Sequence, residues 1–155
     1  MIFMLLSSCS NHVPSRTKQT AVIKDEISKI EAQCVPKKNT SKKEVELIFG
    51  DGQPLPPTVS KLQQNGLIPY NSPRRAYKLC EDGLLTVRYN SEWKVLHASY
   101  ANPFSIKGRP FGMKPSNEEL IRELEPRLMQ MRKIQNAYNK RKAANQILQQ
   151  TATNE

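Results

Sequence analysis

The chain has 155 residues, 37% hydrophobic and 25% charged, which suits one small domain with polar flanks. Lys and Arg outnumber Asp and Glu by 24 to 14, and the resulting net charge of +10 favours acidic partners: nucleic acid, anionic lipid headgroups or an acidic protein face. No apolar run reaches the ~20 residues of a membrane-crossing helix, and no G-x-S-x-G, P-loop or G-x-G-x-x-G motif is present.

The chain opens with an apolar stretch ending Leu5-Leu6, then Ser7-Ser8 and Cys9. This resembles a bacterial lipobox. The resemblance implies that residues 1–8 are part of a lipoprotein signal and that Cys9 becomes the mature N-terminus, carrying the diacylglycerol anchor and its palmitate-type chains. Ser10 in place of Asp fits outer-membrane sorting. No Lys or Arg precedes Arg16, so the basic part of such a signal is expected upstream of Met1. Residues 9–19 read as a polar tether. With Cys9 acylated, Cys34 and Cys80 remain as an even pair, expected to form a disulfide in an oxidising periplasm; two unrelated thiols are the alternative.

Residues 20–32 predict an amphipathic helix through Ile23, Ile27 and Ile30, with Cys34 continuing the apolar face and Pro36 ending it. Ser41-Lys42-Lys43-Glu44 is a capping box, and Val45, Ile48 and Phe49 give the next helix an apolar side before Gly50. Residues 51–57 read as a Gly/Pro-rich loop, and residues 58–64 as a further helical turn.

The period then changes to that of strands over residues 76–80, 84–89 and 93–100. A loop of Asn90-Ser91-Glu92 pairs Tyr89 with Trp93 and Val87 with Val95 on one apolar face. At the first hairpin a two-residue Asp82-Gly83 turn sets Cys80 opposite Leu85, whereas a three-residue loop brings Tyr77 and Leu79 inward. The Asp-Gly pair favours the first register.

A second capping box, Ser116-Asn117-Glu118-Glu119, opens a long C-terminal helix that Pro126 is expected to kink or break. Leu124, Leu128, Met131, Ile134 and Tyr138 form a stripe, and Leu128, Met131, Ile134 and Tyr138 are the candidate partner-binding residues. The competing reading lays this stripe on the protein's own sheet. Arg132, Lys133, Lys140, Arg141 and Lys142 form the candidate basic patch, suited to anionic lipid headgroups.

The expected fold is α+β: two short N-terminal helices packed on a three-stranded antiparallel meander, plus a long C-terminal amphipathic helix. Residues 20–104 form the domain, 105–115 a linker and 116–150 a helical arm. Thr40-Ser41-Lys42-Lys43-Glu44-Val45, Phe49-Gly50, Asp82-Gly83-Leu84 and Trp93-Lys94-Val95 follow one another in an order that resembles the SmpA/OmlA family of small outer-membrane lipoproteins. The resemblance covers residues 40–100. It implies an accessory component of outer-membrane protein assembly, working through protein contacts.

The catalytic inventory is thin. His12 falls in the tether and His97 in a strand, while Glu44, Glu46, Asp51 and Asp82 are accounted for by caps, turns and solvated faces. No Cys or His has metal-ligand spacing. The expectation is therefore a non-catalytic envelope lipoprotein on the periplasmic face of the outer membrane, without cofactor, binding another envelope protein. The alternative is a basic nucleic-acid-binding accessory protein, disfavoured because only Tyr138 lies among the basic residues of the last helix.

Overall fold

The computed structural model describes residues 15–56, 72–104 and 112–153. Cys9 with Ser10, His12, the helical turn at 58–64 and most of the 105–115 linker lie outside them. The described chain forms α1 (Arg16–Cys34), α2 (Lys42–Phe49), β1 (Gln53–Leu55), β2 (Arg74–Cys80), β3 (Gly83–Tyr89), β4 (Val95–Tyr100) and α3 (Asn117–Ala152). The class is α+β, with an antiparallel sheet in the order β1-β2-β3-β4. The expected meander of three strands is thus a sheet of four. Pro54 and Pro56 disguise β1, yet β1 lies at the sheet edge, where a residue without N–H is tolerated.

The helices follow their patterns closely. In α1 the residues Ile23, Ile27, Ile30 and Cys34 are buried, one per turn, and the helix stops before Pro36. In α2 the capping box is formed, with Ser41 Oγ accepting from the Glu44 N–H and the Glu44 carboxylate accepting from the Ser41 N–H at 2.8 Å. Val45 and Phe49 face inward, and Gly50 leaves the helix at φ +77°.

Both hairpins depart from expectation. Tyr77 lies opposite Leu85, with a bulge between Lys78 and Cys80, so Tyr77 and Leu79 are buried and Cys80 is not. A type I′ turn needs positive φ at both central residues. Neither Asp82 nor Gly83 has it. Gly83 serves another end: a Cβ there would fall 2.7 Å from Cys80 Sγ and 3.0 Å from Ile134 Cγ1, so the glycine lets the hairpin lie under α3.

In the second hairpin Trp93 is not a strand residue. It adopts φ +58° in the turn, Tyr89 pairs with Val95, and a bulge before Arg88↔His97 restores Ala98 and Tyr100 to the inner face.

α3 is integral to the core, which corrects the division into a domain and an arm. Arg16 pairs with Glu118 and Thr17 bonds Asn117 at one end of α1, while Gln33 bonds Gln135 and Asn139 at the other. The two helices therefore run parallel. Leu128, Met131 and Ile134 pack with Tyr77, Leu85, Val87 and Tyr100 in one core cluster. The helix runs on through Pro126. Arg127 holds it there, its guanidinium donating to Glu31 Oε1 (2.7 Å), Gln130 Oε1 (2.7 Å) and the Ala101 carbonyl (2.9 Å), while Gln130 donates to the Asp82 carbonyl (2.6 Å). One polar knot thereby ties α1, α3, the first hairpin and the end of β4.

Candidate protein-binding surface

The expected partner-binding residues are in the wrong place for that role. Met131 and Ile134 are fully buried, Leu128 nearly so, and Tyr138 is half-buried with its ring 6.0 Å from Phe49. The stripe covers the protein's own sheet, because parallel packing against α1 turns it inward.

The basic patch is divided. Arg132 pairs with Glu26 and Lys133 with Asp82, each at 2.8 Å. Arg141 donates to the carbonyls of Phe49, Lys78 and Leu79, which fastens α2 and β2 to α3. Lys140 and Lys142 are exposed and make no ion pair among the described residues.

Cys34 and Cys80 are free thiols, so the expected disulfide is not formed. Cys34 is fully buried beneath Tyr100, whose hydroxyl donates to the Cys34 carbonyl at 3.0 Å, whereas the bulged register leaves Cys80 half-buried at the hairpin tip. Burial pushes the Cys34 thiol up to about 11, away from the reactive thiolate.

What is exposed instead is the outer face of α2. Lys43 and Leu47 stand one turn apart on it, and Leu47 is 56% accessible. Lys42 and Glu46 pair along the adjacent row (3.4 Å) and face Trp93. The Trp93 ring lies between cations, with Lys42 Nζ 4.8 Å from its centre and the Arg75 guanidinium carbon 5.5 Å from it. Against it Tyr89 packs with its ring tilted at 53° and centred 5.8 Å away, and shares a buried 2.6 Å hydrogen bond with Tyr77. Burial raises both phenols, so both remain protonated at neutral pH.

The Trp93 turn is held against its own preference. A left-handed backbone costs a bulky residue on the order of 1–2 kcal/mol, and glycine is the usual occupant. Asn90 Oδ1 accepts from the N–H groups of Glu92 (3.0 Å) and Lys94 (2.8 Å), and the Lys42 N–H holds the Trp93 carbonyl (2.9 Å). Between this turn and α2 opens a cleft of about 420 Å³ lined by Ser41, Lys42, Lys43, Glu46, Glu92 and Trp93.

At the other end of α2, Asn145 bonds the Leu47 carbonyl. Two and three residues further along α3, Ile147 and Leu148 are 63% and 66% accessible. The surface from Trp93 over Lys43 and Leu47 to Leu148 is therefore an apolar strip flanked by lysines. Its signal in the sequence was weak, because Trp93 reads as a strand residue and Leu47 as one more apolar position on a short helix.

Among the described residues no three His, Cys, Asp or Glu side chains converge as a metal site, and no helix is long and apolar enough to cross a membrane. His97 is exposed on β4 opposite Arg88. Comparison with models of known protein families, with curated proteins and with solved structures finds no match.

Proposed function

We propose that this chain is a non-catalytic bacterial envelope lipoprotein, held at the periplasmic face of the outer membrane through Cys9 and acting in structure or assembly through protein contacts. The observation that carries the reading is the parallel course of α1 and α3. The chain enters the fold where Arg16 meets Glu118, and the exposed strip lies past the far end of α1, beside the C-terminal half of α3. A 19-residue α1 is about 28 Å long, so the strip stands roughly that much further from the anchor than the entry point. A surface so placed is free to meet a partner while the other end is tethered. Two helices leading into an antiparallel sheet share the coarse order of the SmpA/OmlA resemblance, with four strands in place of three, and this supports the reading at the level of fold alone.

The test is made on the natural locus with its upstream region. Mass spectrometry of the N-terminal peptide is expected to find a diacylglycerol thioether on Cys9 and the protein in the membrane fraction, and Cys9→Ala is expected to release it. An intact Met1 on soluble protein would overturn the lipoprotein reading and leave the basic nucleic-acid-binding alternative in its place.

A further inference from the structure

The charge of the molecule is unevenly compensated. In α1 and the first half of α3 five bases have acidic partners, Asp25–Lys29, Glu26–Arg132, Glu31–Arg127, Glu118–Arg16, and Asp82–Lys133 from the hairpin tip, while Lys18, Lys24 and Arg122 make no ion pair among the described residues. Around α2 most bases lack a partner, Lys42 (with Glu46) and Lys94 (with Glu92) excepted. Lys37, Lys38, Lys43, Lys140 and Lys142 make no ion pair among the described residues, and α3 carries no acidic residue from Ile134 to its end at Ala152. The same end presents Trp93, Leu47 and Leu148 to solvent. An apolar strip between uncompensated lysines calls for an occupant that is apolar on one side and acidic on the other.

Two features select among acidic occupants. Glu46 and Glu92, paired with Lys42 and Lys94, stand in the wall of the Trp93 cleft, so a phosphodiester backbone with a charge at every step meets carboxylates there as well as lysines. A polypeptide with isolated carboxylates avoids them. Among the described residues the strip presents a single ring, since Tyr77 and Tyr89 behind it are buried, and successive bases have no series of rings there to stack on. A second copy of the chain is disfavoured, because it would bring the same uncompensated lysines together.

We propose that the strip formed by Trp93, Lys43, Leu47 and Leu148 is a docking site for an acidic, amphipathic segment of a partner protein. Carboxylates of the segment reach Lys43 and Lys142, and its apolar side chains cover Leu47 and the exposed part of Trp93. The left-handed backbone at Trp93 has a purpose on this account: it lifts the indole out of strand β4 and presents it between Lys42 and Arg75. The inference deepens the reading of the chain as a protein-binding component and rests on it for the nature of the partner. Its test does not depend on whether Cys9 is acylated.

The probe is a capped 14-residue peptide of glutamates and leucines spaced to give one acidic and one apolar helical face, titrated into the ¹⁵N-labelled full chain. Saturable shifts are expected at the Trp93 indole and at the Lys43 and Leu47 amides. Trp93→Gly and Lys43→Glu each weaken binding about tenfold or more. Lys24→Glu makes the same change of net charge on a remote exposed position of α1 and leaves binding within about twofold. Trp93→Gly also removes the left-handed strain, so a retained thermal transition with lost binding marks the ring as a contact and not a support. Equal losses in Lys43→Glu and Lys24→Glu overturn the proposal, since net charge alone then explains binding. Absence of shifts at the strip overturns it, as does tighter binding of a charge-matched oligothymidine or of anionic vesicles through the same residues. Peptide binding by a chain found intact and soluble in cells would overturn the envelope assignment and leave the docking site standing.

Discussion

At the scale of single residues, burial decides chemistry. Cys34 is the clearest case. Its thiol loses its proton only near pH 11 in the folded state, against roughly 8.5 for a free thiol in the unfolded chain. Between those values the unfolded state binds fewer protons, so stability is intact below about pH 8.5 and falls as pH rises toward 11. The loss from this group is on the order of 3 kcal/mol. Urea titrations at pH 8 and pH 10.5 are expected to differ less in Cys34→Ala than in the parent. An unchanged difference would place the thiol in contact with solvent. The raised phenols of Tyr89 and Tyr100 act in the same direction, so the variant is expected to flatten the dependence without abolishing it. Arg127 makes the same point for charge. In sequence it is one more base shortly before Arg132 and Lys133; in the structure it is 8% exposed, and its guanidinium satisfies three acceptors. Arg127→Met leaves Gln130 Oε1 and the Glu31 carboxylate without that donor, while the Ala101 carbonyl keeps only Gln130 Nε2, with an expected loss of about 2–4 kcal/mol in urea unfolding. A loss below 1 kcal/mol would show that water replaces the knot.

At the scale of elements, the caps and periodicities were legible and the turns were not. Ser41 and Ser116 start helices because a hydroxyl and a glutamate three residues on satisfy backbone groups that no tertiary contact needs to supply. The hairpins depend on what packs above them. Asp82-Gly83 carries a strong local turn signal, but α3 needs the space over Gly83, and the register moves to place Tyr77 and Leu79 inward. The same packing settles the destination of the Leu128–Tyr138 stripe. Met131→Ala, at a fully buried position, is expected to cost about 2–5 kcal/mol. Truncation after Lys114 is expected to abolish the thermal transition, whereas truncation after Asn145 removes only exposed turns and leaves it. Survival of the fold without α3 would return the stripe to the role of a docking face.

At the scale of the whole molecule, α3 joins what the sequence divides. A 36-residue helix that contacts α1, α2, β2 and β3 couples every layer. The expected behaviour is one cooperative transition, with far-UV circular dichroism and Trp93 fluorescence following coincident curves. Two separated transitions would restore an independent arm. The single helix also gives the molecule two unlike ends. One, at Arg16 and Glu118, is compensated in charge and is where the N-terminal segment enters; the other gathers Lys43, Lys140, Lys142 and the exposed Leu47 and Leu148.

What the sequence determined by itself were the properties encoded over a few neighbouring residues: both capping boxes, the apolar faces of α1 and α2, the α+β class, and three strand segments in antiparallel order. Only the tertiary structure decided the fourth strand, both hairpin registers, the free state of Cys34 and Cys80, and the exposure of Trp93. Each of these depends on a contact between residues far apart in the chain: Arg75 with the Gly52 carbonyl, Gly83 with Ile134, Tyr100 with the Cys34 carbonyl, and the Lys42 N–H with the Trp93 carbonyl. Local patterns specify which elements form because their energies are local. Which face an element turns outward is set by the helix that covers the other one, and α3 approaches the sheet only when the whole chain has folded.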